Sequence, residues 1–295
     1  MPTLTGTAGP DTLEGGFSSD QIRGLGGDDV IIPHAGDDQI DGGDGFDLVD
    51  YSTVPTNITV DLARAGPQSI TFDKTDTLIS IEGIQGSSFS DRLAGASGAN
   101  TILGGLGDDT ISDPGGANYL RGEGGDDSLS GGDDFDDING NMGNDTAHGN
   151  GGEDWVVGGK DNDLLFGDAG GDVVWGNLGA DTLDGGDGND QVRGGQGDDS
   201  VSGGAGDDYV SGDRGADTIS GGDGADLFHG SQDAGVDRVL DFHAAEGDRV
   251  MLDPGTTYTV SQVGADTVID MGGGNQMILV GVQLSSLPDG WIFQG

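Results

Sequence analysis

Asp11, Asp20, Asp29, Asp38 and Asp47 follow one another at intervals of nine residues. The interval returns at Asp91 and Asp109, and then runs through Asp127, Asp136, Asp145, Asp154, Asp163, Asp172, Asp181, Asp190, Asp199, Asp208, Asp217 and Asp226. Asn100 and Asn118 fill the two remaining places in this second series. Carboxylates can move protons or hold cations. Adjacent pairs such as Asp28–Asp29, Asp108–Asp109, Asp198–Asp199 and Asp207–Asp208 resemble acid/base dyads, but every pair falls on the same two places of the interval. An array of that regularity reads as a row of ligands. Its donors are all oxygens, which suits Ca²⁺ with its flexible shell of about 6–8 oxygens; Mg²⁺ prefers a smaller octahedron and keeps its waters. The acid bias agrees: of 54 acidic residues only five are Glu. The short carboxylate suits tight turns and cation coordination.

The elements that must position these carboxylates follow from the rest of the repeat. One nine-residue frame starts at Gly6 and gives five units to Asp50; a second starts at Gly86 and gives sixteen units to His229. The aspartate or asparagine is position six. Position four is Gly in seventeen units, the exceptions being Ser18, Phe89, Asp134 and Asp161. Position eight is apolar throughout, from Leu13, Ile22, Ile31, Ile40 and Val49 to Val201, Val210, Ile219 and Phe228, with Ala147 the one small residue. A polar–apolar–polar triplet is a very short strand with one side chain pointing inward. The glycine-rich residues before it turn tightly, through φ > 0 where needed. Two units make one solenoid turn, and successive turns stack as parallel sheets about 4.8 Å apart. The predicted fold is all-β: a parallel β-roll with a thin core of position-eight side chains and carboxylates gathered in the turns.

Composition shows why a cation is needed. The chain has 295 residues, 63 of them Gly, with 32% hydrophobic and 5% aromatic residues and a formal net charge of −44. Low hydrophobicity and high charge leave such a chain largely disordered until a counter-cation cancels the repulsion. Nucleic acid and anionic membranes are excluded as partners by charge. There is no Cys, so disulfides and thiolate metal sites are absent. The first residues, MPTLTGTAGPD, hold neither a basic segment nor an apolar run, so no cleaved secretory signal is expected there. No stretch approaches the roughly 18 apolar residues of a membrane span.

The pattern GGxGxDx(apolar)x resembles the RTX repeat, the calcium β-roll of bacterial proteins secreted by type I systems. The resemblance covers about two thirds of the chain. It implies that units n and n+2 share a Ca²⁺, and that multiple ions bind through the nineteen position-six aspartates named above. It further implies that the chain leaves a Gram-negative cell unfolded through the type I machinery and folds in the calcium outside. Asn100 and Asn118 stand two units apart, so their shared site lacks two carboxylate charges and is expected to be weak or empty. Asp134 and Asp161 replace a permissive glycine and alter the geometry around them.

Outside the repeats, residues 1–5 are a short lead. Residues 51–85 contain strand-like stretches with Ile58, Val60, Leu62, Ile70, Phe72, Ile79 and Ile81 and read as an irregular β insertion bridging the two roll blocks, 6–50 and 86–229. Residues 230–295 are richer in apolar residues. They are expected to cap the open end of the roll, and they resemble the C-terminal region of RTX proteins that carries an uncleaved export signal.

No catalytic constellation is visible. His34, His148, His229 and His243 are dispersed, there is no H-E-x-x-H or G-x-S-x-G, and the GGK at 158–160 is followed by Asp161 rather than by Ser or Thr. No threonine occupies position three, which removes an ice-binding ladder. One feature breaks the polar–apolar–polar rule: WVV at 155–157, LLF at 164–166 and VVW at 173–175 are wholly apolar. The flanking residues Trp155, Val157, Leu164, Phe166, Val173 and Trp175 should therefore point outward, either as an exposed patch for homotypic association or docking or as a surface that the tail or the insertion folds back to cover. The sequence thus predicts a non-enzymatic, calcium-folded extracellular or surface protein, structural or self-assembling as an oligomer or filament. The alternatives are a secreted effector or bacteriocin-like toxin, or a noncatalytic fragment of a larger RTX enzyme.

Overall fold

Each nonapeptide contributes one extended stretch centred on its position-eight residue, and the glycine-rich remainder turns the chain toward the opposite sheet. Strands two units apart therefore become neighbours, with a register of 18 residues: Leu183 pairs Val201 and Val201 pairs Ile219, all parallel. The computed structural model describes residues 1–295. It divides into two units, Met1–Met142 and Gly143–Gly295.

In the first unit, one sheet runs Thr12–Glu14, Val30–Ile32, Leu48–Asp50, Gly83–Gln85, Thr101–Leu106, Asn118–Gly124 and Asp136–Met142. It passes from Leu48–Asp50 straight to Gly83–Gln85, with Val49 paired to Ile84. The residues between them serve the opposite face. There Thr75–Ile79 closes the stack of Thr3–Thr5, Gln21–Gly26 and Gln39–Asp44. Thr59–Asp61 opens a new stack that continues through Arg92–Ala94, Thr110–Ser112 and Ser128–Ser130. Tyr51, Ile58, Val60 and Ile70 are buried in this irregular turn.

In the second unit the two faces alternate without interruption from Thr146–Gly151 and Trp155–Lys160 to Thr218–Asp223 and Leu227–Gly230. The strands here are longer than the predicted triplet. Trp155–Lys160 pairs Val173–Leu178 through Val157 and again at Gly159 and Lys160. Position two bends in the left-handed region, at Gly159 (φ 122°) and Asn177 (φ 75°), so the chain kinks without losing its neighbour. Asn tolerates that conformation. On one face the tail adds Val236–Val239 and Asn275–Leu279 in parallel, then Asp266–Gly272 and Thr259–Val263 as antiparallel strands. On the other it adds Arg249–Leu252 and Ile292–Gln294. Phe228, Phe242 and Trp291 pack together there, with ring centroids 5.8 and 6.1 Å apart.

All position-eight side chains are buried, most of them completely. They form a core one side chain deep from each sheet. No helix is long and apolar enough to cross a membrane.

Candidate metal centres

Position six lies at or one residue before the start of each strand, where the turn closes against the next rung. Its carboxylate points inward and stacks between rungs. One oxygen, Oδ1, accepts the N–H of the position-six residue two units earlier: Asp29 N–H to Asp47 at 2.9 Å, Asp91 to Asp109 at 2.7 Å, Asp172 to Asp190 at 2.7 Å, Asp199 to Asp217 at 2.9 Å. This ladder fixes the carboxylate plane.

The other oxygen is left over. At Asp29, Asp47, Asp109, Asp163, Asp172, Asp181, Asp190, Asp199, Asp208, Asp217 and Asp226, Oδ2 is buried without a hydrogen-bond donor. A buried acceptor left in that state costs about 1–3 kcal/mol, more when charged. The carboxyls respond as burial dictates. Desolvation pushes Asp109 up to about 8, against the pull of the Asp91 N–H and with a push from neighbouring Asp127 and Asp91. Asp163, Asp172, Asp199 and Asp208 rise to about 7 and Asp226 to about 6, desolvation leading in each. Such groups want a cation, which reverses the local pKa logic.

The position-one glycines stand against these oxygens. A Cβ on Gly185 would collide with the Gly203 carbonyl oxygen and Asp190 Oδ2. At Gly203 the corresponding atoms are the Gly221 oxygen and Asp208 Oδ2; at Gly24 they are the Gly42 oxygen and Asp29 Oδ2. A side-chain oxygen and a carbonyl from the rung two units on thus converge on the same glycine. Nowhere do three acidic or histidine side chains form a closed cage. The donor set is one carboxylate with backbone carbonyls, hard and flexible, and it fits Ca²⁺ better than a metal that demands His or thiolate. Gly185→Ala would place a methyl group among these oxygens. We expect it to bind one calcium ion fewer than the parent at saturation, measured by metal analysis of the folded protein.

Four other predicted ligands are engaged differently. The second oxygen of Asp11, Asp20, Asp91 and Asp136 accepts a backbone N–H, from Thr7, Gly16, Ser87 and Gly132. Asp127, Asp145 and Asp154 are buried like their neighbours. Asn100 and Asn118 do stack, with the Asn100 N–H bonded to Asn118 Oδ1 at 2.9 Å. Asp161 occupies position four at φ 74°, and Asp134 Oδ2 accepts the Gly116 N–H at 3.1 Å.

Asp38 has an internal cation. Lys74, from the irregular turn and 6% exposed, places Nζ 2.8 Å from Asp38 Oδ2, 3.0 Å from Asp76 Oδ2 and 3.1 Å from the Gly36 carbonyl. Asp76 Oδ1 accepts the Asp38 N–H at 2.9 Å, so it continues the ladder, and the Tyr51 hydroxyl donates to Asp76 Oδ2 at 2.8 Å. Asp237 and Asp248 extend the ladders into the tail by accepting the N–H groups of Asp217 and Asp226, at 3.3 and 3.0 Å. Desolvation and the Asp217 charge push Asp237 up to about 8. Sequence reasoning missed Lys74, Asp76, Asp237 and Asp248. A signal existed in the three aspartates: each stands two residues before a buried apolar residue, Leu78, Val239 and Val250, as position six stands before position eight.

Outside the turns, Trp155 pairs Val173 and Val157 pairs Trp175 on one sheet, while Leu164 and Phe166 lie on the other. Trp155, Leu164 and Trp175 are exposed at 52%, 38% and 36%; Val157, Phe166 and Val173 are half-buried.

Parallel rungs with an oxygen-lined cradle between successive turns define a cation-stabilised β-roll. The profile of the RTX calcium-binding nonapeptide repeat (4 copies) matches residues 3–31, 18–49, 84–112, 115–147, 148–183, 166–201, 175–210, 184–219 and 202–236. These matches cover well over half of the chain, and the chain belongs to that family of calcium-binding repeat proteins. No individual curated protein matches its sequence. Among solved structures it is similar to the extracellular lipase LipA from Serratia marcescens, at 16% identity and a TM-score of 0.25; the likeness covers all of this chain and 40% of the lipase chain.

Proposed function

We propose that the protein is a secreted structural element that is delivered unfolded and becomes a rigid, self-associating roll on meeting extracellular calcium. The observation that carries this reading is the row of buried Oδ2 atoms without donors in a chain of net charge −44. Such a roll is poorly stable until divalent cations enter it, and extracellular calcium modules work at about 10⁻⁴–10⁻³ M. Export fits the same physics, because a chain that stays unfolded at low calcium can be threaded outward. In this reading the strands of residues 230–295 cap the last rung and carry the type I export signal. The patch around Trp155 and Trp175 supplies the homotypic contact, since rigid aromatics are enriched at interface cores.

The test is a calcium titration followed by circular dichroism and light scattering, with magnesium as control. We expect a cooperative, calcium-specific rise in β structure accompanied by particle growth. Replacing Trp155 and Trp175 together with Ser should leave the β transition intact and abolish the growth. Growth unchanged in that double variant removes the patch from the assembly; folding without growth in the parent removes self-association.

A further inference from the structure

The calcium row has an apparent gap at Asn100, where position six carries no charge. The structure fills it from another position. Asp113 occupies position one of its unit, where every other repeat has Gly except at Pro33. Its unit stands two after that of Asn100, so it belongs to the rung that stacks on Gly95. A Cβ placed on Gly95 would meet Asp113 Oδ2 first, Asp113 Cγ next, and Asn100 Oδ1 at 2.9 Å. In an ordinary unit the same point meets the position-six carboxylate and a position-one carbonyl. Here the two donors have exchanged roles: position six gives a neutral amide oxygen, and position one gives the carboxylate.

The Asp113 side chain is built for this. It is 1% exposed. Its Oδ1 accepts the Gly115 N–H at 3.3 Å, and its Oδ2 is buried without a donor. The Asn100 amide is oriented by two contacts: Oδ1 accepts the Ala96 N–H at 2.8 Å and Nδ2 donates to the Glu82 carbonyl at 3.0 Å. The oxygen, not the nitrogen, therefore faces Gly95. A buried anionic oxygen without a donor, Asp113 Oδ2, beside an amide oxygen held in place by a single N–H and keeping its second lone pair makes a hard-cation site.

We propose that Asp113 Oδ2 and Asn100 Oδ1 form a calcium site beside Gly95, so that the row of ions continues through the asparagine-bearing rung. This inference rests on the calcium reading of the whole roll and adds a ligand that the repeat pattern does not contain.

The experiment counts bound calcium by equilibrium dialysis at saturating calcium, with far-UV circular dichroism on the same samples. Asp113→Asn keeps the shape and removes the charge; it should bind one ion fewer than the parent. The double variant Asn100→Asp with Asp113→Gly moves the carboxylate back to position six and should restore the parental count. If Asp113→Asn unfolds instead, the double variant must still recover both fold and count. A parental count in Asp113→Asn overturns the assignment while leaving calcium binding by the roll intact, as does failure of the double variant to recover the missing ion. A parent that binds no calcium overturns both readings.

Discussion

Freed of calcium, the roll should be less ordered at pH 7.5 than at pH 5, the reverse of its behaviour with calcium present. The buried carboxyls decide this. An unfolded Asp titrates near about 3.9, whereas burial raises Asp226 to about 6, Asp163, Asp172, Asp199 and Asp208 to about 7, and Asp109 to about 8. Each of these groups holds its proton more tightly in the folded state. Its contribution to stability is fully present below the unfolded value and disappears as pH rises through about 6 to 8. Between pH 5 and 7.5 the calcium-free fold therefore loses stability at several sites together. At pH 5 these buried groups are neutral while exposed aspartates keep the chain charged and above its sequence pI of about 4.1.

Calcium inverts the order, because a cation stabilises the ionised form that burial disfavours, and protons then compete with the ion. More calcium should be needed to fold the chain at pH 5 than at pH 7.5. Far-UV circular dichroism of metal-depleted protein across this range, repeated in excess calcium, reads both arms. A calcium-free chain that is equally folded at pH 5 and pH 7.5 would show that the buried carboxyls do not govern stability.

The repeat was legible because one residue per unit does one job. Ile111, Val192 and Phe228 each fill the core from position eight, and a period of nine alone is enough to place them. The orphaned oxygens of Asp109 or Asp199 were equally readable, since a carboxylate at a fixed offset from a strand must face the turn. Legibility ended where one rung is built from two distant segments. Asp76 stacks on Asp38 across 38 residues and Asp248 on Asp226 across 22, offsets that no period of nine contains. Asp113 stays in frame but on the wrong position, and only the stacking of rungs brings it to Asn100. Strand length was also under-read: extension past the glycine at position one depends on a left-handed residue at position two, such as Asn177 or Asp168, which propensity does not favour.

Lys74 gives the second large effect. Its ammonium stands between two carboxylates whose side chains are 0% exposed, in the rung where the other turns present oxygens to an ion. The chain carries its own cation there. Burial pushes Asp76 up, opposed first by the Lys74 charge and then by the Asp38 N–H. Removing one partner of a buried pair costs about 3–5 kcal/mol, because the remaining charge is left uncompensated. Lys74→Met deletes the ammonium while keeping most of the apolar stem, so packing around Tyr51 is largely retained. At low calcium this variant should melt well below the parent. At saturating calcium it should recover most of that loss and bind one ion more, since Asp38, Asp76 and the Gly36 carbonyl then form an all-oxygen set. Lys74→Arg keeps the charge and should gain no ion. Thermal unfolding at both calcium levels, with bound calcium counted, separates these outcomes. A loss in Lys74→Met that calcium does not repair, at an unchanged count, would mean that the ammonium is a structural ion pair and that the site has no room for calcium.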